Sequence, residues 1–104
     1  MSKGTQKTSK LRESARGREC FVRLPGICNH DSATVVLAHM NGGGMGKKQP
    51  DLFAAFCCSA CHDAYDGRVM YRGMPVDYIQ LAFLQGIIRT QKAWLAEGLI
   101  DFND

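Results

Sequence analysis

The sequence predicts a small α+β domain whose fold depends on a cross-link, either disulfides or a bound metal ion, as well as on a hydrophobic core. At 104 residues the chain has the length of one domain, and its 11 glycines increase the conformational entropy lost on folding. Strand-like segments lie in the first half, and one long run of helical periodicity lies near the end. The five cysteines are an odd number, so disulfides alone would leave one thiol over. These cysteines are expected to form the cross-link.

The N-terminal segment, residues 1–10, is polar and predicts a basic arm ahead of a folded domain at 11–104. From residue 1 to residue 23 there are seven Lys and Arg against two Glu, an excess of five positive charges. Such a segment is typical of proteins that bind a nucleic-acid backbone, and it also serves as a solubility tail. The candidate phosphate contacts are Arg16, Arg18, Lys47, Lys48 and Arg68.

The first half of the domain predicts one short helix and two strands. The helix is expected over Leu11–Arg18, where Gly17 ends it. The strands are expected at Cys20–Val22 and Thr34–Leu37, and the second delivers His39 just beyond its end. Together they predict a hairpin too small to be stable alone.

The second half predicts two helices. An apolar run at Leu52–Cys57 leads into a short helix that begins near Cys58. A long amphipathic helix is predicted over Pro75–Glu97, with Gly98 suited to its C-terminal cap. Its apolar residues at helical spacing predict one buried stripe, made of Val76, Ile79, Phe83, Leu84, Ile87, Ile88, Trp94 and Leu95.

The cysteine spacing predicts one structural zinc ion. Cys58 and Cys61 are separated by two residues, a spacing with which two thiolates turn back onto one tetrahedral ion. Cys20 and Cys28 are the expected second pair, while Cys57 is expected to be a small hydrophobe in the core. His30 is the alternative to Cys28. No apolar segment suited to export or membrane insertion occurs, which predicts a reducing bacterial cytoplasm.

A second interpretation of the same residues is a c-type haem site. Cys58-Ser59-Ala60-Cys61-His62 has the letters of the haem attachment motif, with His62 as axial ligand. Haem attachment in bacteria ordinarily requires export, and it would leave Cys20 and Cys28 unexplained. A c-type cytochrome is therefore ranked behind the two other hypotheses for this chain, which are given below.

Three further residues suggest catalysis. His62 and Asp66 stand four apart on the short helix and therefore share a face. An imidazole and a carboxylate with open positions suit a catalytic divalent ion, here Mg²⁺ or Mn²⁺. His39 is placed at the end of a strand, and histidine is a common general base in enzymes that work near neutral pH.

This pattern resembles the HNH, or ββα-metal, nuclease superfamily, and more closely the YbcO-type nucleases of lambdoid prophages. The resemblance covers about Leu11–Ile100. The matching segments are Ala15–Cys20, Val22–Asn29, Leu37–His39, Pro50–Leu52, Cys58–Asp63, Arg89–Gln91 and Trp94–Leu95.

The resemblance implies a zinc-stapled ββα-metal fold and a metal-dependent DNA endonuclease in phage recombination or DNA processing. It implies that His39 is the general base and that His62 and Asp66 bind the catalytic metal. The departure is Ala38, where many HNH enzymes have a metal-binding Asp or His. The alternative hypothesis is a non-catalytic zinc module that binds nucleic acid or a recombination protein.

Overall fold

The protein is an α+β domain with a two-stranded sheet and a long C-terminal helix, as the sequence predicts. The computed structural model describes residues 9–40, 49–69 and 73–101. Two 3-10 turns precede the strands, at Ser32–Thr34 and Asp51–Phe53. The main elements in chain order are α1 (Lys10–Glu13), β1 (Val36–His39), β2 (Ala54–Cys57), α2 (Ser59–Tyr65) and α3 (Val76–Glu97).

Helix α1 is shorter than the predicted helix at Leu11–Arg18. It begins after Ser9, whose hydroxyl accepts a hydrogen bond from the backbone N–H of Arg12 at 3.1 Å. Beyond Glu13 the backbone bonds of residues 15, 16 and 18 reach back only three residues, so the chain continues as tight turns to Gly17. Gly17 has a φ of 72°, which ends any helical path.

The sheet does not contain the predicted pair of strands. Cys20–Val22 is not a strand, because the backbone N–H of Arg23 bonds to Cys20 Sγ and turns the chain there. The partner of β1 is β2, which pairs antiparallel so that Val36 lies opposite Cys57 and His39 opposite Ala54. Every residue of β2 is buried, so the strand lacks the alternation that marks a half-exposed strand in a sequence.

Helix α3 packs against β2 through one face only. Gly86 lies so close to the sheet layer that a Cβ atom there would stand 2.9 Å from Val22 Cγ2 and 3.3 Å from Ala55 Cβ. The predicted apolar stripe was too wide, because a two-stranded sheet covers only a narrow sector of the helix. Four of its residues are exposed, namely Val76, Leu84, Ile88 and Leu95.

The core is centred on Phe56, which is fully buried in β2. Its ring contacts Phe21 and Trp94 at centroid distances of 5.2 and 5.9 Å. Trp94 donates its indole N–H to Ser14 Oγ at 2.8 Å, which ties the end of α3 to the N-terminal turns. Within the ranges given above, no helix is both long and apolar enough to cross a membrane.

Candidate metal centre and His39 site

The structure brings Cys20, Cys28, Cys58 and Cys61 together. Their four Sγ atoms all lie within 4.8 Å of one another. Four Zn–S bonds of about 2.3 Å in a tetrahedron put the sulfurs about 3.8 Å apart. The distance between Cys58 Sγ and Cys28 Sγ is 3.8 Å, and all five cysteines are free of disulfides. The cluster therefore has the donors and the dimensions of a tetrahedral metal site.

Local backbone structure supplies this geometry. Cys58 occupies the N-cap of α2, where its Sγ accepts the backbone N–H of Cys61 at 3.4 Å. Cys20 Sγ accepts the N–H of Arg23 at 3.5 Å. Cys20, Cys58 and Cys61 are buried, and Cys28 is partly exposed. N–H donors aimed at sulfur favour thiolates, the form that binds a metal.

The thiols of the cluster compete for ionisation. Hydrogen bonds from the Cys57 and Cys61 thiols lower the pKa of Cys20, whereas burial raises the pKa of Cys28 to about 11. The pKa of Cys61 is raised, chiefly because its thiol donates to Cys20. One thiolate is thus stabilised at the expense of its neighbours. Only a bound cation lets all four sulfurs carry negative charge together.

Two other residues border the cluster. Cys57 is fully buried in the core, as predicted, but its thiol also bonds to Cys20, which raises the pKa of Cys57. His30 lies beside Cys28, with Nδ1 at 3.7 Å from Sγ. Among the described residues, neither belongs to the group of four whose ligand atoms could share an ion.

His39 forms a close pair with Asp51, a residue that sequence reasoning missed. His39 Nε2 lies 2.6 Å from Asp51 Oδ1, and both side chains are about one-fifth exposed (20% and 21%). Asp51 Oδ2 accepts the Ser9 hydroxyl at 2.6 Å, and Arg12 Nε stands 3.4 Å from Oδ1. Two backbone elements meet here, because Asp51 opens the turn before β2 and Ser9 caps α1.

The charges fix which nitrogen of His39 carries the hydrogen. Burial opposes ionisation of Asp51, but hydrogen bonds from His39 and Ser9 and the charge of Arg12 outweigh it and lower the pKa of Asp51. An ionised carboxylate can only accept hydrogen bonds, so Nε2 of His39 is the N–H donor. Nδ1 then carries the lone pair that can accept a proton.

The register of the sheet explains why Asp51 was missed. Asp51 is twelve residues from His39 in sequence and approaches it only because His39 lies opposite Ala54, next to the Asp51 turn. A hairpin that pairs β1 with Cys20–Val22 instead of β2 does not predict that Asp51 lies near His39. The one signal for Asp51 in the sequence was its position just before a fully apolar strand.

His62 and Asp66 also lie together, at 3.2 Å between Nε2 and Oδ2. Arg68 shares this carboxylate, with Nη2 3.4 Å from Asp66 Oδ2, and it also contacts Asp63 at 3.3 Å. In the described part of the chain, His39 does not join them in any group of three possible metal ligands. Ala38, 1% exposed, lies opposite Ala55 in the core and adds no ligand.

The candidate phosphate contacts differ in their surroundings. Arg16 is exposed and pairs loosely with Glu13 at 3.5 Å. Arg18 is held between Glu97, at 2.5 Å, and the ring of Phe56, at 4.9 Å from its centroid, so it also supports the fold. Lys47 and Lys48 lie outside the described residues, as does the arm before Ser9.

Comparisons with known proteins agree with one another. The family model described as "Putative nuclease YbcO" matches residues 9–99. The chain is 48% identical over 93 residues to "Putative nuclease YbcO" of Escherichia coli (strain K12), covering 86% of this chain and 95% of that protein. The protein of the same name in Enterobacteria phage 82 matches equally. A solved "putative bacteriophage protein" of Escherichia coli K-12 is similar with a TM-score of 0.73 and 47% identity, covering 86% of this chain and all of that one.

Proposed function

The chain belongs to the YbcO family, and from that premise we propose that it is a metal-dependent DNA endonuclease of the HNH superfamily. The observation that carries this proposal is the 2.6 Å contact between His39 Nε2 and Asp51 Oδ1. A carboxylate that holds one imidazole nitrogen prepares the other to act as a base. The pair stands at the end of β1, where the superfamily has its catalytic histidine.

In the proposed reaction, Nδ1 of His39 removes a proton from a water molecule as the water oxygen attacks phosphorus. The bond from phosphorus to the leaving sugar oxygen breaks, and that oxygen takes a proton from solvent. Asp51 stabilises the imidazolium that forms, because its carboxylate is already ionised and aligned with Nε2–H. General-base catalysis of this kind contributes roughly a hundredfold to ten-thousandfold in rate.

We propose His62 and Asp66 as ligands of the catalytic divalent ion. Their ligand atoms stand 3.2 Å apart, as neighbouring ligands of one ion can. A divalent ion bound there supplies charge stabilisation for the phosphoryl and leaving oxygens. With only two side chains as ligands its affinity is low, and an imidazole ligand favours Mn²⁺ over Mg²⁺. The guanidinium of Arg68 competes for the same carboxylate.

We propose zinc as the ion of the four-cysteine cluster. Four thiolates complete a tetrahedral shell with no open position, which is the arrangement of a structural rather than a catalytic site. The ion would join the 20–28 segment to the start of α2. Cys58 and Cys61 are fully buried among the other thiols, which disfavours haem attachment.

A second candidate is a non-catalytic zinc module that binds DNA or a recombination protein. The observation that favours it is the pair of His62 and Asp66, which lacks a third ligand within the described residues and is contacted by Arg68. The first candidate implies DNA as a partner, and both imply the cytoplasm of a bacterial host as the location. A role in recombination or DNA processing is part of the first proposal.

A cleavage assay separates the two candidates. Full-length protein is incubated with supercoiled, single-stranded and branched DNA, with Mg²⁺, with Mn²⁺ or without an added ion. We expect cleavage that requires the ion, and loss of cleavage in His39→Ala at unchanged zinc content and melting temperature. Gln80→Ala, at an exposed position of α3, is the control and should retain activity. If His39→Ala cuts DNA as fast as the wild type, the proposed mechanism is wrong.

A further inference from the structure

A groove runs from His39 along the surface between the N-terminal turns and β1. It encloses a cavity of about 380 Å³. Its lining combines His39 with two exposed arginine side chains. The residues that line it include Arg12, Ala15, Arg16, Val36, Leu37 and His39.

Two guanidinium groups give the groove its charge. The side chains of Arg12 and Arg16 are 46% and 78% exposed, and each has one acidic neighbour, at 3.4 and 3.5 Å. The Arg16–Glu13 pair is exposed on both sides and contributes little, so it yields readily to a stronger anionic ligand. A guanidinium also has five N–H donors and can keep one acceptor while it binds another. Both arginines can therefore contact phosphate.

The floor of the groove is apolar. Val36 is 47% exposed although it lies within a strand, and the lining residues Leu37 and Ala15 are buried. An apolar floor under arginines suits a sugar-phosphate backbone, which has carbon faces between its charges. The volume is at the small end of the roughly 300–1,000 Å³ range of ligand sites, which fits about one nucleotide and not a duplex.

We propose that this groove binds one unpaired DNA strand and presents it to His39. Arg12 and Arg16 contact the phosphates next to the bond that is cut, and Val36 contacts the sugar or base between them. The inference rests on the proposed nuclease function and specifies its substrate class. The preferred substrates are DNA ends, flaps or bubbles with a single-stranded stretch.

Binding is measured on full-length His39→Ala protein so that the DNA stays intact. A short labelled oligothymidylate and a duplex of the same length are titrated by fluorescence anisotropy across a salt series. We expect Arg16→Gln to weaken oligothymidylate binding about threefold to tenfold and to make the salt slope shallower by about 0.7. Lys92→Gln, which removes one exposed charge from α3, is the matched control and should change neither. Val36→Asp should weaken binding further by repelling phosphate.

The outcomes distinguish this inference from the nuclease proposal. Tighter binding of the duplex than of oligothymidylate, or equal effects of Arg16→Gln and Lys92→Gln, would overturn the groove assignment. Arg16-dependent binding of oligothymidylate supports the groove even if wild-type protein cuts no DNA, which would contradict the nuclease alone. Melting temperatures of the variants confirm that each is folded.

Discussion

The two ends of the β1–β2 pair differ in how they hold their polar side chains. At the cysteine end, where Val36 lies opposite Cys57, sulfur atoms crowd together in a buried cluster. At the histidine end, His39 and Asp51 are about one-fifth exposed and are held by hydrogen bonds and by the charge of Arg12. The strands are four residues long, so the ends are only about 10 Å apart. The closed end suits stability, and the open end leaves a face for substrate.

This difference means that changes at the two ends should affect different quantities. Removal of a cysteine ligand should unfold the domain, whereas removal of a group at the histidine end should change rate and leave the fold intact. A substitution that affects both quantities equally would show that the two ends are not separate units.

Cys58→Ser should have the largest effect. Structural zinc in small domains contributes on the order of 10–16 kcal/mol, which is as large as the whole stability of a typical domain. We expect loss of zinc from the purified protein and loss of cooperative melting. Cys57→Ser is the matched control. It places a more polar hydroxyl in a buried position, but the hydroxyl keeps a donor for Cys20, so the free energy of unfolding should fall by only about 1–2 kcal/mol. Zinc-free wild-type protein that melts as sharply as the zinc-bound form would contradict the proposal.

The cysteine end was largely predictable from the sequence, and the histidine end was not. Thiolates separated by two residues indicate a metal site by themselves, so spacing was enough to find Cys58 and Cys61. The link between His39 and Asp51 depends on strand register, and register depends on which apolar segment pairs with β1. The fully buried β2 has no alternation that would identify it.

The long helix was predictable in its bounds but not in its exposure. Pro75 and Gly98 mark its ends in the sequence and in the structure, where Gly98 has a φ of 76°. How many apolar residues of a helix are buried depends on the width of the layer beneath it. A sequence does not give that width, so Leu84 and Ile88 were wrongly assigned to the core.

Ala38→Asp tests whether a ligand that many HNH enzymes have at this position can be added to the proposed catalytic site. Ala38 is 1% exposed and lies opposite Ala55, beside the place where α3 comes closest. A carboxylate there would be buried, so we expect destabilisation of several kcal/mol rather than a new metal ligand. Chemical denaturation measures the loss. A stable Ala38→Asp protein that needs less Mn²⁺ for activity would show that this side chain reaches the catalytic ion.

Asp51→Asn should lower the rate strongly and the stability only modestly, so that the protein still folds. The Asn amide can donate to Nε2 of His39, which moves the hydrogen to Nδ1 and removes the base. We expect kcat to fall a hundredfold to ten-thousandfold at a nearly unchanged KM. Asp77→Asn, on the exposed first turn of α3, is the matched control and should leave kcat unchanged.

Acid titration gives the same pair a second test. The pKa of Asp51 is lowered below its usual value of 3.8, so the stability that its hydrogen bonds provide is present above that pH. It is lost as pH falls through the lowered pKa of the folded state. The stability difference between the wild type and Asp51→Asn should therefore shrink below about pH 4. A difference that persists in strong acid would mean that Asp51 acts without its charge.

Arg68→Gln should have the smallest effect, and its direction shows which role Arg68 has. Arg68 Nη2 lies 3.4 Å from Asp66 Oδ2, the atom that also faces His62. The Arg68 side chain is 64% exposed, so its pair with Asp66 is worth at most about 1 kcal/mol. Release of the carboxylate should then lower the Mn²⁺ concentration for half-maximal cleavage about twofold to fivefold. Lys92→Gln removes an exposed positive charge elsewhere, on α3, and controls for overall charge. If Arg68→Gln instead raises KM for DNA at an unchanged Mn²⁺ requirement, Arg68 binds phosphate, and the His62–Asp66 pair is accessible to a metal ion without displacing it.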